Sequence, residues 1–403
     1  MLHQAPVGAR DWLPVEVIQK RWLSQNLETV FSQWGYQQII TSTLEWVEML
    51  TAGGAIEPST VIQVQNGSDK QLGLRPEFTA SIARAVVTRM QGNPLPQRLF
   101  YNGNVFRSSE DDHGQQVESH QAGVELIGAT GVLADSEIIL LLQNCLQQLG
   151  SERWHLVLGE AGLTRSLLAP FPEKLKAKVR YCIAHLDRVS LEKLPLSSEL
   201  QERALLLFDL RGKPETVIEK VSQLNLDETG KNIVRNLESL SSLLTETSDF
   251  PITLDLSLLQ TIDYYTGIVF EVVADSERET CIIGQGGRYD QLLGLYHPQG
   301  ETLPGVGFAL NLEALQTCLL RENKLPKRET ASDWLVIPET ASAQVVALNY
   351  AQKLRSEDQS QRVELALEEK DATEIREYAQ QKEINRLAWL KADGTVTVEE
   401  VGT

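Results

Sequence analysis

Cysteine is scarce and scattered. Cys145, Cys182, Cys281 and Cys318 are the four among 403 residues, with no Cys-x-x-Cys pair, so their spacing indicates neither a zinc site nor a disulfide framework. Long apolar runs are missing too. No stretch of about 18 apolar residues occurs, which excludes a membrane-spanning helix at the level of sequence. The opening residues lack the basic-then-apolar layout of a secretion signal, and the cytosol is the expected compartment. Positive charge is in deficit: 37 Lys and Arg face 55 Asp and Glu, a net charge of −18, and no basic cluster stands out. Nucleic-acid binders need a basic face to neutralise phosphates, so tRNA binding is not expected as a primary task. What is present, 42% hydrophobic and 23% charged residues, is ordinary globular composition. The length suits two or three domains with sizeable cores.

Along the chain, Pro6 to Pro14 opens as a loop. Val15, Ile18, Trp22, Val30 and Trp34 then recur at helical spacing, and Gly35 ends that helix. Tyr36–Thr41 reads as a strand and Leu44–Leu50 as a short helix. Val61–Gln65 and Gln71–Arg75 flank Asn66-Gly67, a hairpin signal. A helix over Glu77–Met90 precedes strands at Arg98–Ser108 and Val117–Gly128, and a long apolar helix at Asp135–Leu149. From about 163 to 250, Leu-, Lys- and Glu-rich segments broken by Pro170, Pro195 and Gly212-Lys213-Pro214 predict an inserted helical subdomain. Strands return at Ile252–Leu256 and run on to Val273. A linker near Arg321–Arg328 leads to a βαβαβ rhythm from Trp334 to Leu390, the mark of a small α/β domain. No internal repeat is visible.

The central stretch is Leu258 to Glu271, an approach loop and strand with Asp263-Tyr264-Tyr265 at its mouth. Read by themselves, two adjacent tyrosines are core filling with a surface neighbour, Glu77 is a first-turn acid favoured by the helix dipole, and Arg107 is a solvated strand arginine. The run Gly284-x-Gly286-Gly287 lacks the lysine of a P-loop; a positive-φ turn beneath a strand explains it as well as a ligand contact does.

The order of motifs resembles the histidyl-tRNA synthetases, class II enzymes. Gly35–Glu45 is similar to the first class II motif, which builds the dimer interface; Leu74-Arg75-Pro76-Glu77-Phe78-Thr79 to the family's Leu-Arg-Pro-Glu-x-Thr; Phe106-Arg107 through Glu125 to the second motif; and Gly286-Gly287-Arg288-Tyr289-Asp290 with Gly307–Leu315 to the third. The resemblance spans nearly the whole chain. It implies an α+β fold: a class II antiparallel sheet core flanked by helices over residues 1–325, carrying the helical insertion, and an anticodon-binding-like α/β domain over 326–403. It also implies that Glu77, Thr79, Arg107, Gln121, Glu125, Tyr264 and Tyr265 surround a histidine ligand. A carboxylate pair suits the ammonium and the imidazole N–H, because charge-assisted hydrogen bonds are about twice as strong as neutral ones.

Departures from the family remove three arginines and one glutamate. Gln260 stands where an arginine meets the ATP phosphate, Ala314 where the third motif ends Leu-Glu-Arg, and Ser109 and Gln115 replace a glutamate and an arginine of the second motif. Adenylyl transfer needs placed cations, so no synthetase activity, catalytic residue, cofactor or metal is expected. In 331–403, eight Lys and Arg against fourteen Asp and Glu leave a balance of −6, which favours a protein partner over RNA there. A histidine pocket beside a disarmed ATP site looks like the regulatory subunits of ATP phosphoribosyltransferase. That likeness implies a self-dimer through the core, a hetero-octamer with the short catalytic subunit, activation of that partner, and histidine as effector, with no membrane or tRNA. The alternatives are an active synthetase, or a free-standing histidine-binding or tRNA-sensing module.

Overall fold

The computed structural model describes residues 5–54, 56–65, 67, 70–108, 117–224, 226–258, 264–275, 280–327, 332–368 and 370–401. Gln260, Ser109, Gln115 and Asp263 lie outside the described residues. The chain divides into two compact units, Met1–Leu325 and Pro326–Thr403.

In the first unit, Pro14 sets the first turn of α1 (Pro14–Gln33) and Gly35, at φ +80°, follows its end; few residues other than glycine adopt that φ without strain. The chain then makes β1 (Gln37–Gln38). β2 (Leu44–Trp46), β3 (Gln63–Val64) and β4 (Leu72–Leu74) form a small antiparallel sheet, with α2 (Val47–Leu50) after β2. The helix expected over 44–50 is thus half strand. Leu44 and Trp46 pair with Leu74 and Leu72, and this cross-strand pairing outweighs helix formation in so short a run. Next come α3 (Thr79–Arg89), β5 (Gln97–Phe106), β6 (Glu118–Ile127) and α4 (Val132–Gln148).

A strand with no counterpart in the sequence reading, β7 (Trp154–Glu160), precedes the helical insertion. The insertion comprises α5 (Ala161–Leu168), α6 (Glu173–Ala184), α7 (Arg188–Glu192), α8 (Ser198–Asp209), β8 (Arg211–Gly212), α9 (Pro214–Ser222) and α10 (Glu228–Thr247). Its last helix starts where the Asp227 carboxylate accepts the Gly230 N–H, and it buries Val234, Leu237, Leu240, Ser241 and Leu244, one stripe at helical spacing. β9 (Ile252–Asp255), β10 (Ile268–Asp275), β11 (Thr280–Arg288), α11 (Leu292–Tyr296), β12 (Gly305–Asn311) and α12 (Leu312–Arg321) complete the unit.

The main sheet has the order β1-β5-β6-β12-β11-β10-β7-β9-β8. The six strands from β5 to β7 are antiparallel throughout; β1 and β9 join in parallel at the two sides, so the sheet as a whole is mixed. Alternation assigns its two faces. Phe100, Ala122, Val124, Phe308, Leu310 and Phe270 point toward the cluster that α1, α4 and α12 cover. Leu99, Tyr101, Val105 and Val269 point to the opposite face, beneath α3 and α11. A fully buried Leu such as Leu27 or Leu141 contributes roughly 1.5–3 kcal/mol of burial free energy. The glycine run lies inside β11, none of its members at positive φ. The turn reading is therefore corrected: these glycines are extended, in a strand where neighbouring strands leave no room for a Cβ.

In the second unit, β13 (Trp334–Pro338), β14 (Val363–Leu365) and β15 (Arg386–Leu390) are parallel, joined through α13 (Gln344–Glu357) and α14 (Ala372–Gln381). An antiparallel edge strand, β16 (Val396–Glu400), adds to the expected rhythm.

Candidate functional site

Arg75 organises the approach to the site. Its guanidinium donates to Asn104 O at 3.0 Å and Thr41 O at 2.9 Å and lies over the Phe78 ring at 3.9 Å. These bonds tie the end of β4 to β5 and aim Pro76 and Glu77 at the sheet face opposite α1. Pro76 O in turn accepts Arg107 Nε at 2.9 Å, fixing that side chain at the mouth of a cavity.

The cavity is a small recess whose empty space, with its open mouth included, is about 390 Å³. All seven residues singled out in the sequence line it: Glu77, Thr79, Arg107, Gln121, Glu125, Tyr264 and Tyr265. They arrive from four places, the start of α3, the end of β5, β6, and the approach to β10. Gln121 and Glu125 share a face of β6 because they are four residues apart in a strand.

Glu125 sits at the centre, 2% exposed. It accepts the Thr79 hydroxyl at 2.7 Å and, through its other oxygen, the Tyr289 hydroxyl. Burial, with Glu77 nearby, pushes its carboxyl up to about 8 against the pull of those two bonds. Glu77 accepts the N–H groups of Thr79 at 2.5 Å and Ala80 at 2.7 Å. It therefore does the helix-start work that the residues alone suggested, while also lining the cavity; burial raises its pKa despite those bonds. Tyr264 meets Tyr265 at 5.0 Å and Tyr289 edge-on at 5.9 Å between ring centroids. Arg107 is the one cation among the described lining residues. Two buried carboxyls, one arginine and a tyrosine wall can hold a small zwitterion whose ring carries an N–H: carboxyl oxygens for ammonium and ring donors, the guanidinium for a carboxylate.

Tyr101, Gln285, Tyr289, Gly307 and Phe308 also line the cavity and were not singled out. Tyr289 lay within a quoted motif, and its buried ring beside Glu125 shows why a tyrosine stands there. It is held by its neighbour Arg288, which donates to Asp135 at 2.6 and 2.9 Å, to Asp290 at 3.0 Å and to Ala129 O at 3.1 Å. Arg288 O accepts Thr266 N at 2.7 Å, and Asp290 N donates to Thr266 Oγ1 at 2.9 Å. The Tyr264–Tyr265 segment and Tyr289 are thereby clamped together. A Cβ on Gly307 would lie 2.1 Å from Glu125 Oε2 and 2.3 Å from Val124 O. Because backbone is one of the two obstacles, Gly307→Ala is expected to destabilise by about 1–3 kcal/mol; a thermal melt checks this, and an unchanged Tm contradicts it. Ala314, in the first turn of α12, donates its N–H to Asn311 Oδ1 at 2.9 Å and presents only a methyl. Among the described residues, no group of three or more His, Cys, Asp or Glu is placed to hold a metal.

The histidyl-tRNA synthetase family model matches residues 8–315. A solved Bacillus halodurans structure described as an ATP phosphoribosyltransferase regulatory subunit/histidyl-tRNA synthetase superposes with a TM-score of 0.81 at 26% identity, covering 97% of this chain and 99% of that one. Histidyl-tRNA synthetase from Nostoc sp. PCC 7120 shares the fold with a TM-score of 0.78 at 19% identity, covering 99% and 97%. Fold and cavity thus define the class, a histidyl-tRNA synthetase-like protein. Curated relatives carry the assignment further: proteins from Nostoc sp. (strain PCC 7120) and Trichormus variabilis, each 56% identical over the full length of both chains, are named ATP phosphoribosyltransferase regulatory subunit. The chain belongs to the ATP phosphoribosyltransferase regulatory subunit family.

Proposed function

We propose that this chain is a non-catalytic regulatory subunit of ATP phosphoribosyltransferase that activates a short catalytic subunit at the first step of histidine biosynthesis. Histidine, held among Glu77, Thr79, Arg107, Gln121, Glu125, Tyr264 and Tyr265, reverses that activation. The observation that carries the reading is the charge make-up of the cavity. It offers buried acceptors for ammonium and imidazole donors and, among the described residues, a single lining arginine, where a triphosphate calls for several placed cations. Gln260, Ser109, Gln115 and Ala314 supply none in sequence. Feedback further requires that histidine bind two states of the complex with different affinity.

The same proposal includes a self-dimer through the first unit and a hetero-octamer with catalytic subunits in the cytosol. Leu44 and Trp46, 42% and 45% exposed on one face of β2, and Ile40 at 85% support burial of this apolar surface against another chain. The acidic balance of the C-terminal unit supports a role without tRNA.

The test is the rate of phosphoribosyl-ATP formation by a short catalytic subunit, with and without this protein, across a histidine titration. Activation that histidine reverses is the expected result; no change in rate or feedback would sink the proposal. An active synthetase is the second reading, and ATP–pyrophosphate exchange distinguishes it. Gln260→Arg alone is expected to give no exchange, since each missing cation typically costs roughly 100- to 1000-fold and Ala314 remains. Measurable exchange in that variant contradicts the account of the lost charges. Copurification with a small phosphoribosyltransferase separates the favoured reading from a free-standing histidine sensor.

A further inference from the structure

Two of the four cysteines, remote in sequence, are neighbours in the fold. Between β10 and β11 the register shifts at Val272/Val273: Val272 pairs with Gly284 and Val273 with Ile282, leaving Ile283 as the extra residue of a bulge. A bulge re-aims the side chains beyond it. Gly284 and Gly286 look toward the large cluster, where a Cβ would meet Leu310 and Phe270. Unbroken alternation would turn Ile283 and Cys281 to the opposite face. Instead Ile283 is fully buried in the large cluster, Cys281 packs against it, and Ile282 is 50% exposed. On the facing helix, Leu312, Leu315, Cys318 and Leu319 form the buried stripe of α12. Both side chains face that cluster, Cys318 from the helix and Cys281 from the strand, near enough for the Cys281 thiol to act on Cys318.

We infer that Cys281 and Cys318 are the site of a reversible disulfide, formed by exchange with a small-molecule or protein disulfide. The roles follow from access. Cys281 is half-buried and is the sulfur an incoming reagent reaches, whereas Cys318 is only 8% exposed. Burial, then the neighbouring thiol, pushes Cys318 up to about 11, so it is held as the thiol at neutral pH. The Cys281 thiolate attacks R–S–S–R, forming a mixed disulfide and releasing one thiolate, RS⁻. Cys318 then loses its proton and attacks the Cys281 sulfur, expelling the second RS⁻. Overall, two protein thiols and one external disulfide become one protein disulfide and two external thiols. The bond would clip the C-terminal half of α12 to the sheet, in the helix whose first turn accepts His120 N with the Glu313 carboxylate at 3.0 Å.

The test equilibrates the full chain in glutathione buffers from fully reduced to fully oxidised, quenches with acid, alkylates after denaturation, and reads intact mass and peptide maps. The expected product retains two alkylatable thiols, Cys145 and Cys182, and yields a linked peptide joining Cys281 to Cys318, which dithiothreitol reverses. Cys281→Ser and Cys318→Ser should each abolish that species. Cys281→Ser, at the less buried position, keeps the result readable if the other variant folds poorly. Four alkylatable thiols under oxidising conditions, stable glutathione adducts without the internal link, or a link through Cys145 or Cys182 would each overturn the inference.

Discussion

Arg288→Ala is expected to lower the unfolding free energy by about 3–5 kcal/mol, the usual cost of removing one partner from a buried ion pair. Its side chain is 8% exposed and that of Asp135 13%, and burial already raises the Asp135 pKa against the pull of the arginine. Without the guanidinium, Asp135 must be protonated or left charged in an apolar setting, and Ala129 O and Asp290 lose a donor. Arg288→Lys should recover little, because an ammonium cannot reproduce a fork that serves three acceptors. Adding Asp135→Asn to Arg288→Ala should return part of the loss, since the stranded charge is the main penalty. Urea unfolding followed by near-UV circular dichroism measures the effect; a loss below about 1 kcal/mol in Arg288→Ala would contradict it.

The second large effect concerns Glu125 and pH. In the ligand-free protein its carboxyl is pushed up to about 8, so at pH 7 it is mostly protonated. A ligand ammonium pairs best with the ionised form, so binding expels a proton. Histidine affinity should therefore rise roughly tenfold per pH unit between about 6.5 and 8 and level off above. Stability of the ligand-free chain runs the other way. A folded pKa above the ordinary value of 4.5 contributes stability that is fully present below about 4.5 and is lost as pH rises through about 8. Glu125→Gln should flatten both profiles and weaken histidine binding about 10- to 100-fold, the equivalent of roughly 1.5–3 kcal/mol for a lost charged hydrogen bond. Calorimetry in two buffers of different ionisation enthalpy reads the released proton directly. Unchanged affinity in Glu125→Gln would move the histidine site away from this cavity.

Sequence made some of this legible and hid the rest for physical reasons. Pro14 and Gly35 are punctuation with one meaning, and α1 falls between them. The glycines of β11 carry two meanings; choosing between turn and crowded strand depends on Phe270, Tyr265 and the backbone of β12, all distant in sequence. Trp154–Glu160, buried almost throughout, has none of the half-polar alternation that marks an exposed strand. Val396–Glu400 has little apolar surface to announce it and exists by pairing with β15. At the cavity, the motif resemblance brought out residues that touch its centre. Tyr101 escaped because its inclusion depends on which face of β5 is turned inward, and Tyr289 because it depends on how the chain leaves β11. Glu77 shows that the two ways of reading a residue need not compete, since one carboxylate both starts a helix and lines the cavity.

The helical insertion is fastened to the rest of its unit at places that matter. β8 pairs with β9, and Arg165, in the insertion's first helix, donates to the carbonyl of Tyr265 at 2.8 Å. The backbone that presents the tyrosine wall is thus also an anchor point of the insertion. A substitution at Arg165 would therefore free a carbonyl at the rim of the cavity as well as loosen the insertion, although the residue itself lies outside the cavity lining.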